Sequence, residues 1–149
     1  MSLSVEKMQD GVHLLHFSLS NCSQRVRICL SEKNIDWESH IVDMLKNEHS
    51  SAWFQKINSK GLIPVLVDGG KVITESLDII KYLDGKNTET SLFPKDEQMK
   101  SRLDKLLDLA DTAQSPIKLL THEFLFKPSR LMMKRDFKRF SENHKNSEL

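Results

Sequence analysis

The run LIPVLVDGGKVI, residues 62–73, constrains the fold more than any other stretch. Two β-branched segments flank Asp68-Gly69-Gly70, which reads as a β-hairpin with a tight turn. A helix opened by Thr74, Glu75 and Ser76 follows at once, with Leu77, Ile80, Tyr82 and Leu83 supplying its apolar side. Upstream, GVHLLHFSL fits a buried strand, and Ser20 or Asn21 caps a helix from about Cys22 to Asn34. Its apolar stripe is Val26, Cys29 and Leu30, with Arg25 and Arg27 off that stripe. IDWESHIVDM alternates as a second strand with Trp37, Ser39 and Ile41 on one face, and SSAWFQKIN is a short capped helix. The order βαβ, short helix, ββ, α predicts a small sheet with helices on its faces, spanning residues 11–86.

Beyond Asp84 the pattern changes. GKNTETSLFPKDE, with Gly85 and Pro94, is a polar linker, and from Asp96 onward only helical periodicity remains. Met99, Leu103, Leu106, Leu107 and Ala110 make one stripe, which Pro116 should kink or interrupt. A break around Pro128 and a last helix in RLMMKRDFKRFSENHKN complete residues 95–149, which read as an incomplete all-helical domain. His122 and the pair Met132-Met133 read as ordinary helix residues, pocket-forming only if that domain is complete.

Charge and composition exclude several function classes. Lys and Arg total 22 against 21 acidic residues, so neither a nucleic-acid partner nor a basic membrane surface is indicated. No apolar run reaches the roughly 18 residues of a membrane span. MSLSVEKMQDG lacks a signal-peptide core, which points to the cytoplasm. Cys22 and Cys29 lie seven residues apart on one helix, about 10 Å by helical rise, too far for a disulfide. That spacing matches neither a zinc site nor a CxxC redox pair, so no metal is expected.

Three places could carry chemistry. Pro64 in a strand-like run belongs at an edge, a bulge or a strand start. If Ile63-Pro64 is cis, the Ile63 peptide groups can turn from the sheet and pair with an extended ligand. Ser76 and the first-turn N–H groups of its helix suit a carboxylate, and Glu75 suits an ammonium group, unless both merely form an acidic helix start. Ser20 and Cys22 open the first helix, where a hydroxyl could donate to a bound thiolate or a thiol could itself react. Simple capping by Ser20 and a small buried Cys22 remain the plain alternatives.

Taken together, the Ser-x-Cys turn, the Arg-bearing helix, the x-Pro step and the Glu-Ser helix start resemble the glutathione transferase family. The resemblance is strong over residues 14–83 and unspecific over 92–149. SNCSQRVRICL is most similar to the zeta class, although Asn21 replaces that motif's second serine. WFQKINSKGLIPVL resembles the family's F-x-x-x-N-P-x-G-x-V-P-x-L, with Ser59 in place of proline. The same region also resembles ganglioside-induced differentiation proteins and reductive dehalogenases of this superfamily. The resemblance implies a thioredoxin-like α/β N-terminal domain followed by a partial all-α domain, because family members are usually longer.

It further implies glutathione as co-substrate, a small hydrophobic electrophile and a homodimer. Position by position, Ser20 matches the catalytic serine of zeta enzymes, and Cys22 matches the nucleophile of the dehalogenase-like relatives. Ile63 would pair with the cysteinyl unit of glutathione, Pro64 would be the cis-proline, and Glu75 with Ser76 would hold the γ-glutamyl end. Lys60 is the candidate for the glycyl carboxylate. Three activities stay open: a transferase or zeta-like isomerase using Ser20, a Cys22-dependent thiol reductase or dehalogenase, and a non-catalytic binding module.

Overall fold

The computed structural model describes residues 3–44, 46–86, 91–121 and 123. The expected break at Pro128, the last helix, His122 and Met132-Met133 lie outside them. The chain divides into two compact units, the first reaching Ser91 and the second beginning at Leu92.

The first unit is a four-stranded sheet in the order β2-β1-β3-β4. β1 (Val12–His16) leads into α1 (Asn21–Glu32), and β2 (Glu38–Ile41) returns parallel to β1. After α2 (Ala52–Ile57), β3 (Val65–Asp68) runs antiparallel to β1, β4 (Lys71–Ile73) antiparallel to β3, and α3 (Ser76–Lys86) closes the unit. This is the mixed sheet with helices on its faces expected from the element order, and the thioredoxin-like α/β arrangement that the resemblance implies.

The hairpin forms where local chemistry demands it. Asp68 pairs with Lys71, leaving Gly69 and Gly70 as a two-residue turn with φ of 55° and 79°. Both central positions need positive φ, which a glycine pair supplies without steric cost. Helix α1 starts at Ser20, whose Oγ accepts the Ser23 N–H at 3.2 Å, so Ser20 and not Asn21 is the cap. It ends in a Schellman turn: Asn34 sits at φ 49°, its N–H reaches Ser31 O, and the Ile35 N–H reaches Leu30 O.

The sheet is buried on both faces. Val12, Leu14 and Leu66 pack with Val26, Cys29 and Leu30 of α1 and with Ile79 and Leu83 of α3. On the other face, Leu15, Val65 and Val67 pack with Met8, Val42 and Phe54. The α1 stripe is the one expected, but two other readings need correction. In α3 the fully buried pair is Ile79 and Leu83, one turn apart, while Leu77, Ile80 and Tyr82 are only half-buried. In β2, Ile41 is 53 % exposed because the strand is a sheet edge, and the buried residue is Val42, just past the strand's end. A buried ion pair ties the helices together: Nζ of Lys33, which caps the C-terminus of α1, lies 2.8 Å from Asp84 Oδ1 and 3.1 Å from Asp84 O of α3.

In the second unit, α4 (Glu97–Thr121) starts at Asp96, whose Oδ1 accepts the Met99 N–H at 2.8 Å. The helix runs past Pro116 to Thr121, contrary to an interruption there. Pro116 and Thr112, whose carbonyl loses its helical donor, are both exposed, so water can reach the freed oxygen. No α4 residue is buried, and of the expected stripe only Leu103 and Leu107 are half-buried. Among the described residues no helix is long and apolar enough to cross a membrane.

Candidate functional site

Strand directions alone bring the three candidate segments to one end of the sheet. β1 ends at His16 and continues into the loop carrying Ser20. β3 runs opposite and begins where Val65 pairs with Leu15, so Ile63-Pro64 enters at that same end. β4, antiparallel to β3, finishes there with Ile73 opposite Leu66, and Glu75-Ser76 follow two residues later.

At the first segment, Ser20 caps α1 through a lone pair of its hydroxyl oxygen. Its hydroxyl hydrogen has no acceptor among the described residues, so capping and donation to an anion are compatible roles. The loop before it is held by Arg27, which donates from Nη1 to Phe17 O at 3.2 Å and from Nη2 to Ser18 O at 3.1 Å. Nη1 also lies 3.2 Å from His16 Nδ1. A guanidinium only donates, so Nδ1 accepts and His16 Nε2–H donates to Ser39 Oγ at 2.8 Å. Burial first, then the charges of Arg27 and His40, hold His16 below its ordinary imidazole pKa. Arg27 was legible only as a residue off the apolar stripe, and its grip on the Ser20 loop emerges with the fold.

Cys22 is half-buried in the first turn of α1, with Arg25 Nη2 at 3.7 Å from its Sγ. Cys29 is buried in the core, and burial followed by the Asp84 charge pushes its thiol pKa up. Neither thiol is in a disulfide. At the second segment, Ile63-Pro64 is a cis peptide. Ile63 precedes β3, and its peptide groups make no backbone hydrogen bond among the described residues. Asn58 Nδ2 donates to Leu62 O at 2.7 Å, and Asn58 Oδ1 accepts the Lys60 N–H at 3.2 Å, fixing the approach to this step.

At the third segment, Glu75 adopts φ 62°, a left-handed conformation that non-glycine residues rarely hold. Its carbonyl accepts the Ile79 N–H at 3.0 Å, so the strained residue opens α3, and Ser76 is 7 % exposed. Lys60 Nζ lies 2.8 Å from Glu75 Oε1. That hydrogen bond and the carboxylate charge raise the Lys60 pKa. The fold thus sets Lys60 against Glu75, a neighbour that sequence spacing did not suggest.

A separate cluster, His13, Glu38 and His40, lies on the sheet and was missed from sequence. Its signal is a strand register across 25 residues, which periodicity within each strand does not reveal.

Comparison with known proteins identifies the family. The sequence profile of the "Glutathione S-transferase, N-terminal domain" family matches residues 14–91. A probable maleylacetoacetate isomerase of Caenorhabditis elegans is 47 % identical over 77 residues, covering 52 % of this chain and 36 % of that protein. A zeta-class glutathione S-transferase of Euphorbia esula is 36 % identical over 107 residues, covering 72 % and 48 %. The solved structure of human glutathione transferase theta-2 in complex with glutathione superposes with a TM-score of 0.74 at 28 % identity, covering 91 % of this chain and 57 % of that one. The chain spans 36 to 54 % of the length of the curated relatives it matches.

Proposed function

Because the chain belongs to the glutathione S-transferase family, we propose that it binds glutathione at the sheet end described above and uses the bound thiol against a small electrophile. Conjugation, reduction and zeta-like isomerisation are the candidate reactions, the last supported by the similarity to a probable maleylacetoacetate isomerase. The observation carrying this reading is the convergence of Ser20, Ile63 and Glu75-Ser76 at one end of the sheet.

In this reading the cysteinyl backbone of glutathione pairs with the Ile63 peptide groups beside Pro64. The γ-glutamyl ammonium meets Glu75, and the neighbouring carboxylate meets Ser76 and the first N–H groups of α3. Lys60 exchanges its contact with Glu75 for the glycyl carboxylate. The glutathione sulfur then lies at the start of α1, where the Ser20 hydroxyl donates to it and favours loss of its proton to water. The resulting thiolate is the nucleophile. In this reading residues 11–86 form the glutathione-binding domain. A cytoplasmic homodimer is the proposed setting.

A second reading uses Cys22, favoured by the Arg25 cation 3.7 Å from its sulfur. Here the Cys22 thiolate attacks glutathione disulfide, forming a protein–glutathione disulfide and releasing one glutathione thiolate. Ser20→Ala separates the two readings when turnover of an aryl-halide electrophile and glutathione affinity are measured together. The Ser20 reading expects about a hundredfold lower turnover with affinity retained, the size of losing one positioned donor. An unchanged rate removes Ser20 from the mechanism, and a glutathione adduct on Cys22 by mass supports the alternative. Glutathione retention without turnover in the unmodified chain identifies a binding module.

A further inference from the structure

We propose that His13, Glu38 and His40 form a binding site for a divalent transition-metal ion, with Zn²⁺ as its reference ligand. The site is built by strand register. β1 and β2 run parallel with His13 opposite Glu38 and Leu15 opposite His40. Opposed residues of a parallel pair, and residues two apart on one strand, share a face, so all three side chains stand on the same side of the sheet. His13 and Glu38 lie near the start of their strands, at the far end of β1 from the Ser20 loop, and His40 stands two residues further along β2.

The donor atoms already face one another. His13 Nδ1 and His40 Nε2 are 3.0 Å apart; Glu38 places one carboxylate oxygen 3.5 Å from His13 Nδ1 and the other 3.6 Å from His40 Nε2. All potential ligand atoms lie within 4.8 Å of one another. Around an ion with metal–nitrogen and metal–oxygen bonds of about 2.0–2.2 Å, neighbouring tetrahedral donors stand about 3.3–3.6 Å apart. The nitrogen pair must open by a few tenths of an ångström, and the exposed Glu38 side chain must turn to bring its carboxylate onto the ion.

The tautomers also favour a metal. His13 Nε2 lies 2.8 Å from Asp10 O, a group that can only accept, so Nε2 carries a proton and in the neutral ring Nδ1 presents a lone pair. A ligating imidazole is ordinarily oriented in this way, by donating its other ring N–H to a carbonyl. His40 Nε2–H therefore donates to His13 Nδ1 when no ion is bound. A metal ion replaces that shared proton once His40 carries its hydrogen on Nδ1, so entry requires no net proton loss.

The rings are fixed, with side-chain exposures of 8 % and 11 %, and they stack at 5.2 Å and 23°. The Glu38 side chain is 66 % exposed, so an ion can enter from solvent and water can complete its coordination. Two imidazoles and one carboxylate suit zinc, nickel or copper; calcium and magnesium require oxygen-rich sites. The site is independent of the glutathione reading.

The test is calorimetric titration of the chelator-treated full chain with Zn²⁺ alone, without glutathione. One ion per chain is expected, with at least about tenfold weaker binding in Glu38→Gln and in His40→Gln, and binding retained in Cys22→Ser. Glu38 is exposed, so Glu38→Gln tests the site even if His40→Gln fails to fold. Titration with Co²⁺ gives a second readout: visible ligand-field bands without a thiolate charge-transfer band are expected. Absence of saturable Zn²⁺ binding, unchanged affinity in Glu38→Gln, or a thiolate band lost in Cys22→Ser would overturn the proposal.

Discussion

Replacing Glu75 separates backbone strain from ligand binding within one residue. At φ 62° a residue with a Cβ sits where L amino acids pay about 1–2 kcal/mol. Glycine escapes that cost but loses about 0.5–1 kcal/mol through its freer unfolded chain. The Glu75–Lys60 pair is 2.8 Å long, yet its side chains are 52 % and 57 % exposed, so water screens it and its loss adds little. Glu75→Gly should therefore leave stability within about 1 kcal/mol of the parent, with gain and loss nearly cancelling. Glu75→Ala retains the strain and loses the pair, so it should be about 1 kcal/mol less stable than Glu75→Gly. Urea midpoints of the three chains measure the order. Both variants should lose about tenfold to a hundredfold in glutathione affinity, the worth of a hydrogen bond to a charged group. A glycine variant no more stable than the alanine variant refutes the strain account. Unchanged glutathione affinity in both refutes the ligand role of the carboxylate.

Two further outcomes follow from buried groups of the first unit. Lys33→Met leaves the Asp84 carboxylate without its 2.8 Å cation, and should lower unfolding free energy by about 3–5 kcal/mol; an unchanged denaturation midpoint contradicts the coupling of α1 to α3. His16 is held below its unfolded pKa by burial, with Arg27 and His40 adding to the effect. The unfolded chain therefore binds a proton that the folded chain refuses. The His16 contribution is complete above about pH 6.5 and is lost as pH falls through the lowered folded value. His16→Asn should flatten the fall in melting temperature over that range, and an identical slope excludes His16 as its source.

Much of the fold was legible because its determinants are local. Gly69-Gly70 and the flanking β-branched residues specify the hairpin with no help from distant groups, and Val26, Cys29 and Leu30 mark the buried stripe of α1. The inward face of α3 was harder: Ile79 and Ile80 are adjacent, and the helix phase choosing between them depends on how Glu75 opens the first turn. Lys33 is a charged residue in a fully buried position, and its Asp84 partner lies 51 residues away in sequence. The exposure of Ile41 follows from its edge position in the sheet order, and His13, Glu38 and His40 meet through register alone. The site segments were recognisable as motifs, but their convergence on one sheet end required the strand directions.

The placement of glutathione along Ser20, Ile63 and Glu75-Ser76 is tested most directly with two ligands that differ by one unit. Reduced glutathione and cysteinylglycine, which lacks the γ-glutamyl group, are each titrated into the unmodified chain and into Ser76→Ala. The proposed placement expects saturable one-site binding of glutathione, at least about tenfold weaker binding of cysteinylglycine, and a much smaller difference between them in Ser76→Ala. Equal affinities in the unmodified chain, or an undiminished difference in Ser76→Ala, would contradict it.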